Sequence, residues 1–131
     1  MDGRGIASVL ALGAISAQLG TAYVVSDESS ADPAHKKALL GGPGDTVMTR
    51  AISGRPARSL CNRFTGLELP LHVPDYPRTY HAGKALNAAA KAKGESGFGA
   101  QWAGQGAPLS RAMPAGDLTA LLLHELDCPT L

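Results

Sequence analysis

Apolar residues Ile6, Val9 and Leu10, with Gly13, recur at the spacing that places them on one side of a helix. Gly5 to Leu12 is therefore predicted helical, and Gly13 is its natural C-terminal stop. Ala14-Ile15-Ser16-Ala17-Gln18-Leu19 follows as a short run of small and apolar residues, read as a strand closed by Gly20-Thr21. A helix packed on a buried strand is one unit of an α/β fold. Thr21 to Ser26 reads as a short helical turn and Asp27 to Ala31 as a polar loop. Asp32-Pro33 supplies an N-cap followed by proline at the first helical position, so a helix is expected through His35, Lys36 and Lys37 to Gly41-Gly42.

Asp45 to Arg50 is the second strand candidate. The stretch Ala51 to Arg63, flanked and punctuated by Arg50, Arg55, Arg58 and Arg63 and containing Gly54 and Pro56, reads as an ordered loop leading into a helix around Leu60 to Leu67. Pro70, Pro74 and Pro77 make 70–77 a connector, because proline removes a backbone donor and cannot continue a regular element. Three helices complete the pattern: Tyr80 to Lys93, a shorter one around Ser96 to Gly104, and Asp117 to Leu126. In the last, leucines 118, 121, 122 and 126 form a stripe of helical period. Two strand candidates cannot make the multi-stranded parallel sheet that an α/β helix-strand unit requires. The chain reads as if it begins in the middle of a domain, and divides into segments 1–26, 27–79 and 80–131.

Composition narrows the functional classes. With 131 residues, 44% of them hydrophobic, the chain has enough material for one ordinary core. A net charge of +1 gives no long-range field to recruit nucleic acid or an anionic membrane. No apolar run reaches the roughly 18 residues of a membrane span. Ile6 to Ala17 imitates a short signal peptide, but Asp2 offsets Arg4 and Gly13 interrupts the apolar run, so a cytoplasmic protein is expected. Cys61 and Cys128 lack the paired spacing of a zinc site and read as reduced thiols. The histidines at 35, 72, 81 and 124 stand beside no acid or cysteine at ligand spacing, so neither a metal site nor a catalytic residue is assigned to them.

Three stretches carry candidate chemistry. Gln18-Leu19-Gly20-Thr21 ends the first strand candidate; a glycine there lets backbone approach an anion, with the Gly20 and Thr21 amides and the Thr21 hydroxyl aimed at phosphate oxygens. A plain turn is the competing explanation. Tyr76, Tyr80 and Lys84 are spaced by four and four, which at helical period offers two phenols and an ammonium on one face. The competing explanation is two half-buried rings and a solvated lysine. Trp102, ahead of Ala103-Gly104-Gln105-Gly106, is read as a ring packed on the core. Gly3-Arg4-Gly5 is half of a dinucleotide fingerprint without the preceding strand, and is discarded.

Taken together these stretches resemble the nitronate monooxygenase family, formerly 2-nitropropane dioxygenases. The resemblance is carried by Asp2-Gly3-Arg4-Gly5-Ile6-Ala7, by Leu10-Ala11-Leu12-Gly13-Ala14 leading to Gln18-Leu19-Gly20-Thr21, and by Thr49-Arg50-Ala51. It continues through Ser53-Gly54-Arg55-Pro56-Ala57-Arg58, Asn62-Arg63-Phe64, Tyr76-Pro77, Tyr80, Lys84 and Trp102-Ala103-Gly104-Gln105. It implies an FMN-binding (β/α)₈ TIM barrel with a smaller, mostly helical second domain, of which this chain would be the C-terminal portion. Residues 1–26 would be the last barrel helix-strand unit, 27–79 a second-domain segment and connector, and 80–131 the C-terminal helices. It assigns flavin phosphate binding to Gln18, Leu19, Gly20 and Thr21, and places Tyr76, Tyr80 and Lys84 near flavin or substrate. The implied reaction is oxidation of an alkyl nitronate by FMN and O₂ to a carbonyl compound and nitrite, with a histidine base that would precede Asp2. A truncated, inactive monooxygenase is therefore expected, its missing barrel portion conceivably supplied in trans. The alternatives are a non-catalytic flavin- or phosphate-binding module and a related FMN-dependent enoyl or quinone reductase. A lone barrel strand would also leave Ile6, Val9, Leu10, Ile15 and Leu19 on an exposed apolar surface.

Overall fold

A computed structural model describes residues 2–67 and 72–127. Its helices are α1 (Gly3–Ala11), α2 (Thr21–Val24), α3 (Pro33–Gly41), α4 (Arg78–Lys91) and α5 (Ala115–Asp127). Its strands are β1 (Thr46–Thr49) and β2 (Ala57–Leu60), and one 3₁₀ turn spans Ala107–Leu109. The chain divides into two compact units: Met1–Gly41 joined with Gly106–Leu131, and Gly42–Gln105. These do not coincide with the three segments drawn from the sequence, because α5 from the last segment packs with α1 from the first.

The first unit is helical. Asp2 caps α1, its carboxylate accepting the Gly5 N–H at 2.9 Å, so the helix starts two residues earlier than its apolar period suggests. Gly13 sits at φ +96° beyond the helix end, a left-handed conformation suited to glycine. At the other end α1 presses on α5: a Cβ on Gly3 would lie 2.4 Å from the main-chain carbon of Glu125. The Gly3 N–H donates to Glu125 Oε2 at 2.8 Å, and Arg111 pairs with the same carboxylate. Glu28 accepts the Ala115 N–H at the start of α5 at 2.9 Å. Asp32 caps α3 through the Ala34 N–H at 2.8 Å, as the Asp-Pro signal predicts. Ala22, Leu118 and Leu122 form the core, with Ile6, Leu19, Tyr23 and Met113 packed around them.

The expected strand over Ala14 to Leu19 is absent, and these residues are irregular. A strand persists only where a neighbour satisfies its backbone groups, and among the described residues none lies beside this segment in a sheet. Ile15 is accordingly 100% exposed and Leu12 87%. Of the five residues expected on an apolar surface, Val9 and Ile15 are exposed, while Ile6 and Leu19 pack on the core.

The second unit is built on an antiparallel hairpin. β1 and β2 pair with Thr46 opposite Leu60 and Thr49 opposite Ala57, and Arg58 bonds Thr46 Oγ1 across the ladder at 3.1 Å. β2 therefore stands in part of the stretch read as a loop opening into a helix, and Arg63 to Gly66 form only a turn. The expected helix over Ser96 to Gly104 is also absent. Its backbone bonds go instead to β2: the Leu60 N–H donates to Gln101 O at 2.9 Å and the Ala103 N–H to Arg58 O at 3.2 Å. Buried Ser59 adds its hydroxyl to Gln101 O at 2.9 Å. Ala51, Ile52 and Phe64 are the core, against which Tyr80, Phe98, Ala100 and Trp102 pack. Helix α4 comes close to this core at Gly83, where a Cβ would stand 3.0 Å from Phe64 Cζ. Cys61 is exposed; Cys128 and the start of the 70–77 connector lie outside the described residues. No helix among the described residues is long and apolar enough to cross a membrane.

Candidate functional site

The candidate residues fall in both units, and each group has its own local cause. In the first unit, Gln18, Leu19 and Gly20 are irregular and lead into α2, for which Gly20 is the N-cap. Leu19 turns inward onto Ala22, Leu118 and Leu122, whereas Gln18 and Gly20 are exposed. This alternation fixes the turn from beneath and leaves its polar side in solvent. Nothing lies within 4 Å of where a Gly20 Cβ would be, so the space over the turn is open. The Tyr23 hydroxyl bonds Thr119 Oγ1 at 2.9 Å, and the Tyr23 N–H donates to Gly20 O at 3.1 Å. The position of the turn is thereby set by α5, not by a strand.

In the second unit Tyr76 precedes α4, which begins at Arg78, and the Tyr76–Pro77 bond is cis. The four-residue spacing still brings the rings together. Tyr76 and Tyr80 have centroids 6.0 Å apart at 34°, and Lys84 Nζ lies 4.7 Å from the Tyr80 centroid. Tyr80 is half-buried against the core around Ile52 and Phe64, while Tyr76 and Lys84 are exposed. The structure adds a member that the spacing did not reveal: Arg55 Cζ lies 5.5 Å from the Tyr76 centroid. The only sequence signal for it was the density of arginine between positions 50 and 63. Trp102, expected against a core, packs on the Ala51, Ile52 and Phe64 cluster. His72, His81 and His124 are exposed, and no group of three His, Cys, Asp or Glu able to hold a metal occurs among the described residues.

The model of the nitronate monooxygenase family matches residues 1–125, and the chain belongs to that family. It is 57% identical over 130 residues to nitronate monooxygenase of Paraburkholderia phytofirmans, covering 96% of this chain and 36% of the relative. The Pseudomonas aeruginosa nitronate monooxygenase is 50% identical, with 96% of this chain and 37% of that protein covered. Among solved structures, nitroalkane oxidase from Streptomyces ansochromogenes superposes with a TM-score of 0.88 and 46% identity, over 97% of this chain and 37% of that one. FabK from Thermotoga maritima follows at 0.72 and 30%, over 96% of this chain and 41% of that one. The chain thus spans little more than a third of the length of the relatives it matches.

Proposed function

We propose that this chain contributes the flavin-phosphate corner and an aromatic wall of the ligand site to an FMN-dependent nitronate monooxygenase built on a TIM barrel. The family match over residues 1–125 carries this reading. The open, outward turn at Gly20 supports it: glycine there leaves room for a phosphate, and the Gln18 amide, the Thr21 hydroxyl and main-chain N–H groups are the donor types that an anion takes. Tyr76, Tyr80 and Lys84 would face the flavin or the substrate. Bound FMN would supply the redox chemistry that lets O₂ oxidise an alkyl nitronate to a carbonyl compound and nitrite. The family resemblance puts the histidine base outside these 131 residues, so we expect them to show no nitronate turnover by themselves.

Titration of the purified chain with FMN, followed by gel filtration and an oxygen-uptake assay with propane-2-nitronate, tests the reading. Weak, dissociable flavin binding that Thr21→Ala weakens further is expected, with no nitronate-dependent oxygen uptake. A yellow protein retaining stoichiometric FMN through the column would overturn the expectation of weak binding, and oxygen consumption the expectation that the chain is inactive by itself. Flavin binding indifferent to Thr21→Ala would overturn the assignment of the turn.

A further inference from the structure

We propose that Arg55 is a positioning residue of the Tyr76, Tyr80 and Lys84 cluster: its guanidinium holds the Tyr76 ring against Tyr80 and makes the cluster cationic at both ends, fit for a small planar anion. The inference rests on the placement of that cluster at the ligand site given above. Four observations within the Gly42–Gln105 unit carry it. Arg55 lies over the Tyr76 ring at 5.5 Å, within the range of a cation–π contact, as Lys84 lies over Tyr80 at 4.7 Å. The order is cation, ring, ring, cation. The turn bearing Arg55 is locked: Ser53 Oγ donates to Arg55 O at 3.0 Å and accepts the Arg55 N–H at 3.3 Å. Gly54, at φ +82°, is pressed so closely on the tyrosine's own segment that a Cβ would stand 2.4 Å from Pro74 O and 2.9 Å from Tyr76 N. Arg50 and Asp75 pair across the same two segments at 3.5 Å, a further link between them.

Tyr76 needs such a contact because it has no helix to fix it. It precedes α4, is 49% exposed, and its ring meets Tyr80 as a ring partner and Arg55 as a cation–π partner. A planar guanidinium stacks on a phenol face where an ammonium does not, so lysine is a partial substitute only.

The test is NMR of the chain with labelled tyrosine and phenylalanine rings and isoleucine methyl groups, comparing wild type, Arg55→Ala and Arg55→Lys. In Arg55→Ala the Tyr76–Tyr80 ring cross-peak is expected to weaken, the ratio of paired to unpaired rings falling about threefold, as the energy of an exposed cation–π contact implies. Arg55→Lys should be intermediate, and the Ile52 and Phe64 signals should not move. An undiminished cross-peak in Arg55→Ala overturns the proposal; so does a general shift of Ile52 and Phe64, which would make Arg55 a support of the whole unit. Titrating the same samples with propane-2-nitronate, and with neutral 2-nitropropane as control, separates this proposal from the reading beneath it. Wild-type tyrosine signals that ignore the anion count against placing the cluster at the substrate, while the cross-peak still decides the positioning role. Signals that respond equally in wild type and Arg55→Ala overturn Arg55 as the second cation.

Discussion

The unit Gly42–Gln105 is continuous in sequence, whereas its counterpart joins Met1–Gly41 to Gly106–Leu131. The continuous unit closes its core within 64 consecutive residues: a hairpin, a docked segment around Trp102, and α4 against Phe64. The discontinuous unit closes its core of Ala22, Leu118 and Leu122 between residues far apart in the chain, and carries Leu12 and Ile15 into solvent. It relies on carboxylates at helix starts. Asp2, Glu28 and Glu125 each take a main-chain N–H at the opening of α1 or α5. The difference teaches that composition adequate for one core does not make every apolar residue part of it; position relative to a packing partner decides.

The largest effects should come from the two cores. Leu118→Ala and Ile52→Ala each remove a side chain 1% exposed, and each should cost about 2–5 kcal/mol. If the discontinuous unit is the weaker, Leu118→Ala lowers the helical circular-dichroism transition while Trp102 emission, which reports the other unit, keeps its midpoint. Coincident shifts in both signals would erase the distinction. The wild-type chain should itself lack a single cooperative transition above about 50 °C.

A smaller loss is expected from Gly3→Ala, whose methyl would meet the Glu125 main chain at 2.4 Å. About 1–3 kcal/mol is the usual cost of such overpacking, read from urea melts. Next comes acid. The Arg111 guanidinium and then the Gly3 N–H hold the Glu125 carboxyl below its ordinary 4.5. Glu28 is lowered by the Ala115 N–H and Asp2 by the Gly5 N–H. Since the folded values are depressed, the stabilisation is present above the ordinary carboxylate range and is lost as pH falls through the folded values. The discontinuous unit should therefore unfold first below about pH 4.5, and Glu125→Gln should flatten that dependence; an unchanged acid profile would remove Glu125 from the account. The smallest effect is expected at Ile15→Lys: this residue is wholly exposed, so stability should stay within about 0.5 kcal/mol while self-association declines, as light scattering would show.

How far the chain could be read depended on whether each element carries its own causes. The cap at Asp32, the stop at Gly13 and the leucine stripe of α5 are local, and those elements stand where the pattern puts them. Ala14 to Leu19 has strand composition, but a strand needs a partner, and composition does not say where that partner is. β2 was hidden behind Gly54, Pro56 and two arginines, because its only fully buried positions are Ser59 and Leu60. The segment around Trp102 was mistaken for a helix since its real bonds run to Ser59, Leu60 and Arg58, some forty residues earlier. Of the candidate site, the meeting of Tyr76, Tyr80 and Lys84 was legible from spacing, whereas Arg55 joins them only through the docking of Gly54 on the Pro74–Tyr76 backbone.

The bond between Gly3 and Glu125 has a consequence in time. A ribosome adding about 5–20 residues per second makes α1 on the order of ten seconds before the helix that holds it. The two residues stand 122 positions apart, so during that interval Gly3 cannot have its carboxylate, and the apolar side of α1 waits without Leu118 and Leu122. The hairpin of the other unit needs only residues already released within a few tens of positions. Birth order and completion order therefore differ: α1 is made well before α5 yet is secured only once α5 arrives, and it is α1 that a cell's chaperones would meet in an unfinished state.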